Sequence, residues 1–243
     1  MIRKQPCEEQ LEQLQKDFEE FAYIVSHDFK APIRAISNLS HWIEEDLGEN
    51  LGSDVPENVN LLRNRAQRLE RMIDALLLYS RVARYSLETI LTDTNQVVQS
   101  AAAKFEGKVN LQLPQPLPAF VTYRDKLYEV FLSLISNSAT FSEKTLTTVT
   151  VSCHSTDSEY YEFVVADNGA GVPESALDKI FNLFYTVSAK DNQDTVGAGL
   201  AISKKIIQFV QGNIRAENND ENGLTIRFTW PKTITATTTS YKA

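Results

Sequence analysis

Ser26-His27-Asp28-Phe29-Lys30-Ala31-Pro32 lies on a long amphipathic helical pattern. Before it, Leu11, Leu14, Phe18, Phe21 and Val25 follow the alternating three-four spacing of a coiled-coil seam. After it, Phe29, Ile33, Ile36, Ile43 and Leu47 continue that spacing, shifted by one position. The step from Val25 to Phe29 is four where three was due, a stutter that locally unwinds a supercoil. Pro32 removes a helical hydrogen bond and favours a kink. His27 falls off the seam and is predicted to face solvent on a distorted stretch of helix.

Working outward, residues 48–54 read as a loop. A second helix follows, in which Val59, Leu62, Ala66, Leu69, Ile73, Leu76, Ser80 and Ala83 form an unbroken three-four series. Two amphipathic helices joined by a short loop make an antiparallel hairpin. One hairpin cannot bury both seams, whereas two can, so residues 1–90 are expected to form a dimeric four-helix bundle. Trp42, beside the seam residue Ile43, is expected to pack in that bundle.

Beyond residue 90 the periodicity changes. Short β-branched runs appear at 149–153, 161–165 and 224–228. Helical stretches lie between them, at about 95–105, 124–140, 173–182 and 199–211. This mix predicts an α/β two-layer sandwich over residues 91–232, a sheet covered by helices on one face. Residues 233–243 read as a polar tail.

Bulk composition narrows the function. The net charge is −8, with both parts of the chain acidic, and no basic stripe offers a nucleic-acid surface. No apolar run is long enough to span a bilayer, and no signal peptide is visible. Cys7 and Cys153 fit no metal spacing and no disulfide framework, which favours a cytoplasmic setting. His41 and His154 match no motif and read as surface residues.

Four short pieces carry chemistry. Neutral imidazole is a nucleophile near neutral pH, and the adjacent Asp28 is placed to hold the ring of His27 and take its proton. Leu127, Val130, Phe131, Leu134 and Ile135 pack one helix face and leave Asn137 on another, where an amide oxygen suits a magnesium ion bridging phosphates. Asp167-Asn168-Gly169-Ala170-Gly171 follows an apolar strand. Its carboxylate suits an adenine amino group and its glycines allow close backbone approach. Gly197-Ala198-Gly199-Leu200 opens a helix whose N-terminus suits phosphate. Taken singly, each has a plain reading: a chance surface pair, a helix-ending amide, a strand-to-turn signal, a helix start.

In this order, the pieces resemble the sensor histidine kinase family of two-component systems. Residues 26–34 match its phosphoacceptor box, 133–142 its N box, 167–171 its first glycine box, Phe181-Asn182-Leu183-Phe184-Tyr185 its phenylalanine box and 197–202 its second glycine box. The wording around His27 is most similar to phytochrome-type kinases. The resemblance implies a dimerisation and phosphotransfer domain (1–90) and a Bergerat-type ATP-binding domain (91–232). It implies ATP and Mg²⁺ as cofactors, with His27 as phosphoacceptor and Asp28 as its acid/base partner. Asn137 would be the metal ligand and Asp167 the adenine reader. Gly169, Gly171, Phe184, Gly197, Gly199 and Leu200 would contribute to the nucleotide site, under a lid at 186–198. The partners implied are a second copy, a response-regulator receiver domain and a sensor domain outside this chain, with no nucleic acid and no membrane contact.

Several positions depart from the family pattern. Ser133 replaces the first asparagine of the N box, Thr140 a frequent lysine, Leu183 a frequent arginine and Thr195 a glycine. Three of these remove a phosphate partner, so a pseudokinase acting as a dimeric adaptor is the alternative reading. Ala31 stands where family members that dephosphorylate their regulator carry threonine or asparagine, so weak phosphatase activity is expected. A different ATPase of the same nucleotide fold is disfavoured by the helical hairpin with His27. Arg63, Arg65, Arg68, Arg71, Arg81 and Arg84 on one helix read as a solvated face, or else as a dock for an acidic receiver domain.

Overall fold

The computed structural model describes residues 18, 22–23, 29–30, 33–43, 54–85, 87–155, 159–187, 195–220 and 223–234. His27, Asp28, Ala31, Pro32, the loop before residue 54, most of the lid and the polar tail lie outside the described residues. The chain divides into two compact units, residues 1–81 with 190–198, and residues 82–189 with 199–243. Among the described residues, no helix is long and apolar enough to cross a membrane.

In the first unit, helical residues 33–43 (α1) are followed by α2 (Asp54–Arg81). Three contacts fix their direction. The Arg81 guanidinium lies over the Tyr23 ring at 5.3 Å, Lys30 pairs with Asp74, and Arg34 Nε donates to Glu70 Oε1 at 3.0 Å. One partner's number rises by seven and then four as the other's falls by the same steps, which requires antiparallel helices in helical register. Ile33, Ala66 and Ile73 form the buried seam, and Ser80 continues it. The intervening seam residues Ile36, Ile43, Leu62 and Leu69 remain exposed in the single chain, and Trp42 is 54% exposed. Among the described residues from 33 to 81, the buried positions Ile33 and Ser40 on one helix, and Ala66, Ile73 and Ser80 on the other, therefore fall seven apart.

The second unit holds β1 (Ile90–Asp93), α3 (Thr94–Ala102), β2 (Val109–Gln112), β3 (Ala119–Thr122) and α4 (Arg124–Phe141). It continues with β4 (Thr147–Ser155), β5 (Tyr160–Asp167), α5 (Gly199–Phe209), β6 (Ile214–Asn218) and β7 (Leu224–Pro231). The main sheet runs β2-β4-β5-β7-β6, parallel only between β2 and β4, and β1 pairs with β3 in a separate ribbon. Val149, Val151, Phe163, Val165, Ile226, Phe228 and Trp230 turn one sheet face into the core, where α3, α4 and α5 lie. This is the two-layer α/β sandwich expected from the sequence. As expected too, Leu127, Val130, Phe131, Leu134 and Ile135 are buried on α4 while Asn137 is only half-buried.

Two sequence expectations differ from the structure. The helix expected at 173–182 is instead a pair of single 3-10 turns, Glu174–Ala176 and Lys179–Phe181. Neither has a side-chain cap, so the unpaired backbone groups at their ends are not supported as they are in a longer helix. The short strands β1, β2, β3 and β6 went unread. β2 and β6 are the sheet's edges and β1 and β3 form the ribbon, so their apolar signal is weak and only four or five residues long.

Candidate nucleotide-binding site

The core positions the site. Phe131 of α4 meets Phe163 of β5 edge-on, with ring centroids 5.5 Å apart. Seven residues on from Phe131 is Ser138, two turns along the same helix face. Four residues on from Phe163 is Asp167, on the same side of the strand. One aromatic contact thus sets the register that brings Ser138 to Asp167. Ser138 Oγ donates to Asp167 Oδ2 at 2.8 Å.

The other carboxylate oxygen, Oδ1, accepts the N–H of Gly169 at 2.9 Å and the N–H of Leu224 at 3.0 Å. Three donors hold an anion at the end of a buried strand, and charge-assisted bonds of this kind are the stronger class. Asp167 itself is only half-buried. Oδ2 keeps acceptor capacity beyond the Ser138 bond, which fits an exocyclic amino group. The turn after Asp167 is equally fixed. Asn168 Oδ1 accepts the Thr148 N–H at 3.0 Å, the Asn168 N–H donates to the Thr148 carbonyl, and Lys144 Nζ donates to the Asn168 carbonyl. Gly171 has φ +63°, a left-handed conformation that favours glycine.

A second cluster forms where α4 meets the start of α5. Gly199 opens α5, and a Cβ there would lie 2.6 Å from Ser133 Oγ. That hydroxyl is buried and has no hydrogen-bond partner. Asn137 is one turn beyond Ser133 on α4 and shares its face. Adjacent residues Asn137 and Ser138 therefore lie on different faces of α4, the first on the face of Ser133, which meets the start of α5, and the second bonded to Asp167. An orphaned hydroxyl and a half-buried amide beside a helix N-terminus suit the phosphates of a nucleotide. Among the described residues there is no group of three His, Cys, Asp or Glu side chains that could hold a metal alone. A magnesium ion would have Asn137 as a ligand and complete its shell on phosphate oxygens.

The remaining sequence candidates take definite places. Phe184 has φ +65° and is half-buried; Gly197 has φ +70°; Leu200 is buried in the core on α5. Of the departures, Thr140 is exposed and Leu183 half-buried, while Thr195 Oγ1 is buried without a partner. The sequence reading missed Ser138 as the carboxylate's partner. It also missed Asn219, whose Nδ2 donates to the Asp167 carbonyl at 2.9 Å. Ser138 was within reach, since it lies seven residues from a predicted core phenylalanine.

Residues 19–85 match the family model for the His Kinase A (phospho-acceptor) domain. Residues 122–234 match the model for the histidine kinase-, DNA gyrase B- and HSP90-like ATPase. The chain is 33% identical over 226 residues to Cyanobacterial phytochrome B of Nostoc sp., covering 90% of this chain and 30% of that protein. It is 26% identical over 236 residues to Sensor protein kinase WalK of Staphylococcus haemolyticus, covering 90% of this chain and 38% of that one. The chain thus spans about a third of the length of these curated relatives. Among solved structures, full-length ShkA in complex with AMPPNP has a TM-score of 0.62 at 22% identity, over 87% of this chain and 45% of that one. Histidine kinase ThkA in complex with response regulator TrrA has a TM-score of 0.60 at 20% identity, over 91% and 66%. These likenesses show the fold. With a phospho-acceptor domain followed by that ATPase domain, the chain belongs to the histidine kinase family.

Proposed function

We propose that this chain is the catalytic core of a sensor histidine kinase, which autophosphorylates His27 and passes the phosphoryl group to an aspartate of a response-regulator receiver domain. The observation that carries the reading is the Asp167 carboxylate, set at the end of β5 by Ser138, Gly169 and Leu224 with an acceptor site to spare. Bound Mg·ATP would supply the phosphoryl group, with the metal neutralising charge. Asp167 would orient the adenine and Asn137 would hold the metal. Ser133 and the N-terminus of α5 would face the phosphates. His27 contributes the nucleophilic nitrogen: its bond to phosphorus forms as the bond to ADP breaks, and Asp28 takes the ring proton. Positioning and charge neutralisation supply most of the rate. ATP as donor supports a cytoplasmic setting for the reaction.

The exposed seam residues Ile36, Ile43, Leu62 and Leu69 support a homodimer, since a second hairpin would cover them in a four-helix bundle. The response regulator as acceptor is supported by the fold shared with ThkA, solved in complex with one. Titration with ATP and adenosine tests the site. Asp167→Asn should weaken both alike, and Asn137→Ala should weaken only ATP with Mg²⁺. Undiminished ATP binding in Asp167→Asn would refute the reading.

A further inference from the structure

The first glycine turn, 167–171, has two glycines, and its backbone pairing to β4 ends at Asn168, yet it carries the carboxylate read here as the adenine acceptor. Beyond the contacts of Asn168 with Thr148 and Lys144, two consecutive side chains that belong to no motif hold it. We propose that Asn218 and Asn219, at the end of β6, are positioning residues for nucleotide recognition, a staple that grips both ends of this turn. The inference rests on the reading of Asp167 as the adenine acceptor.

Asn219 grips the leading end. Its Nδ2 donates to the Asp167 carbonyl at 2.9 Å and to Thr225 Oγ1 at 3.3 Å. Its Oδ1 accepts the Gly223 N–H at 2.8 Å, and its own N–H donates to the Gly223 carbonyl at 2.9 Å. That closure delivers the next N–H, of Leu224, to Asp167 Oδ1. Asn218 grips the trailing end. Its Oδ1 accepts the Val172 N–H at 3.0 Å, and its Nδ2 donates to the Val172 carbonyl at 2.8 Å and to Glu174 Oε1 at 3.2 Å.

The residue type follows from the geometry. Neighbouring side chains on a strand point to opposite sides, so two consecutive residues reach two places. A carboxamide carries a donor and an acceptor in one plane, so it pairs with a backbone N–H and C=O together, as another strand would. Aspartate at either position keeps the acceptor and loses the donor. A turn held before the nucleotide arrives needs no ordering when it binds.

Amide hydrogen exchange at Gly169, Val172 and Leu224 is measured alongside ATP and GTP binding, in the unmutated chain and in Asn218→Ala, Asn219→Ala and Asn219→Asp. Thr229→Val is the control, because Thr229 Oγ1 accepts the Asn213 N–H at the far end of the β6–β7 hairpin. Each staple variant should exchange faster and bind ATP roughly tenfold more weakly, the equivalent of one lost hydrogen bond, with GTP binding little changed. Thr229→Val should alter neither exchange at these amides nor the ATP-to-GTP ratio. Unchanged exchange overturns the staple. Faster exchange with an unchanged ATP-to-GTP ratio overturns its positioning role. Failure of the unmutated chain to bind ATP overturns the Asp167 reading instead, and the exchange data tell the two failures apart.

Discussion

Replacing Gly223 by alanine should damage the adenine site through backbone contact alone. A Cβ at this position would lie 1.9 Å from the Asp167 carbonyl oxygen, 2.6 Å from its carbonyl carbon and 3.0 Å from Asn168 Cα. All three are backbone atoms, so no rotamer change relieves the clash. Ordinary contact begins near 3.4 Å, so β7 must draw back by about 1.5 Å. That movement breaks the Leu224 N–H bond to Asp167 Oδ1, now 3.0 Å, and the Asn219 bond to the Asp167 carbonyl, now 2.9 Å. The first is charge-assisted, about 1.5–3 kcal/mol, and the second neutral, about 0.5–1.5 kcal/mol. The sum, about 2–4.5 kcal/mol, corresponds to a fall in Tm of roughly 5–15 °C for a unit of this size. ATP affinity should fall as well, because Asp167 loses one of its three donors. Gly212 provides the control. A Cβ there would lie 2.1 Å from the Thr229 carbonyl at the opposite end of the same hairpin. Thermal unfolding and ATP titration of both variants give the answer. Gly212→Ala should lower Tm and leave ATP affinity alone. A Gly223→Ala chain with Tm within about 2 °C of the original and unchanged ATP affinity would refute the reasoning. So would an equal loss of ATP affinity in Gly212→Ala.

Ser138→Ala removes the hydroxyl from Asp167 Oδ2 and should weaken ATP binding roughly tenfold in a calorimetric titration; an unchanged affinity would remove Ser138 from the site. Burial holds the Lys126 ammonium below the ordinary lysine range, with Glu129 opposing the shift. The unfolded chain therefore binds more protons between the folded value and 10.5, and stability should rise with pH across that window. Lys126→Met should flatten this rise in urea unfolding measured at several alkaline pH values, and an identical slope would contradict the assignment. Burial pushes the Cys153 thiol up to about 11, opposed by Lys232. At pH 8 the Cys153 peptide should alkylate roughly a hundredfold more slowly in the folded chain than in urea, and equal rates would contradict the raised thiol.

The periodic signals at 124–140, 149–153, 161–165 and 224–228 became the elements they predicted. The apolar face of α4 and the central strands β4, β5 and β7 are where Leu127, Phe131, Val151, Phe163 and Phe228 are buried. The edge strands were illegible because half their residues face solvent. The 3-10 turns at 174–181 were misread because Ala176, Leu177, Ile180 and Phe181 carry a helical period although they pack from two separate turns. At the site, the motif residues Asn137 and Asp167 were legible by type and position. Their supports were not. Ser138 contacts a residue 29 positions away, and Asn218 and Asn219 reach 46 and 52 positions back. In the sequence such asparagines look only like turn formers. Ser133 read as a lost phosphate partner. In the structure it is the residue against which Gly199 closes.

The central claim is phosphoryl transfer from ATP to His27. Incubation with Mg²⁺ and γ-labelled ATP, beside a His27→Gln chain, tests it directly. The account predicts label on the unmutated chain that is lost in acid, survives base and is absent from His27→Gln. Label that persists in His27→Gln, or no label on a chain that still binds ATP, would contradict it.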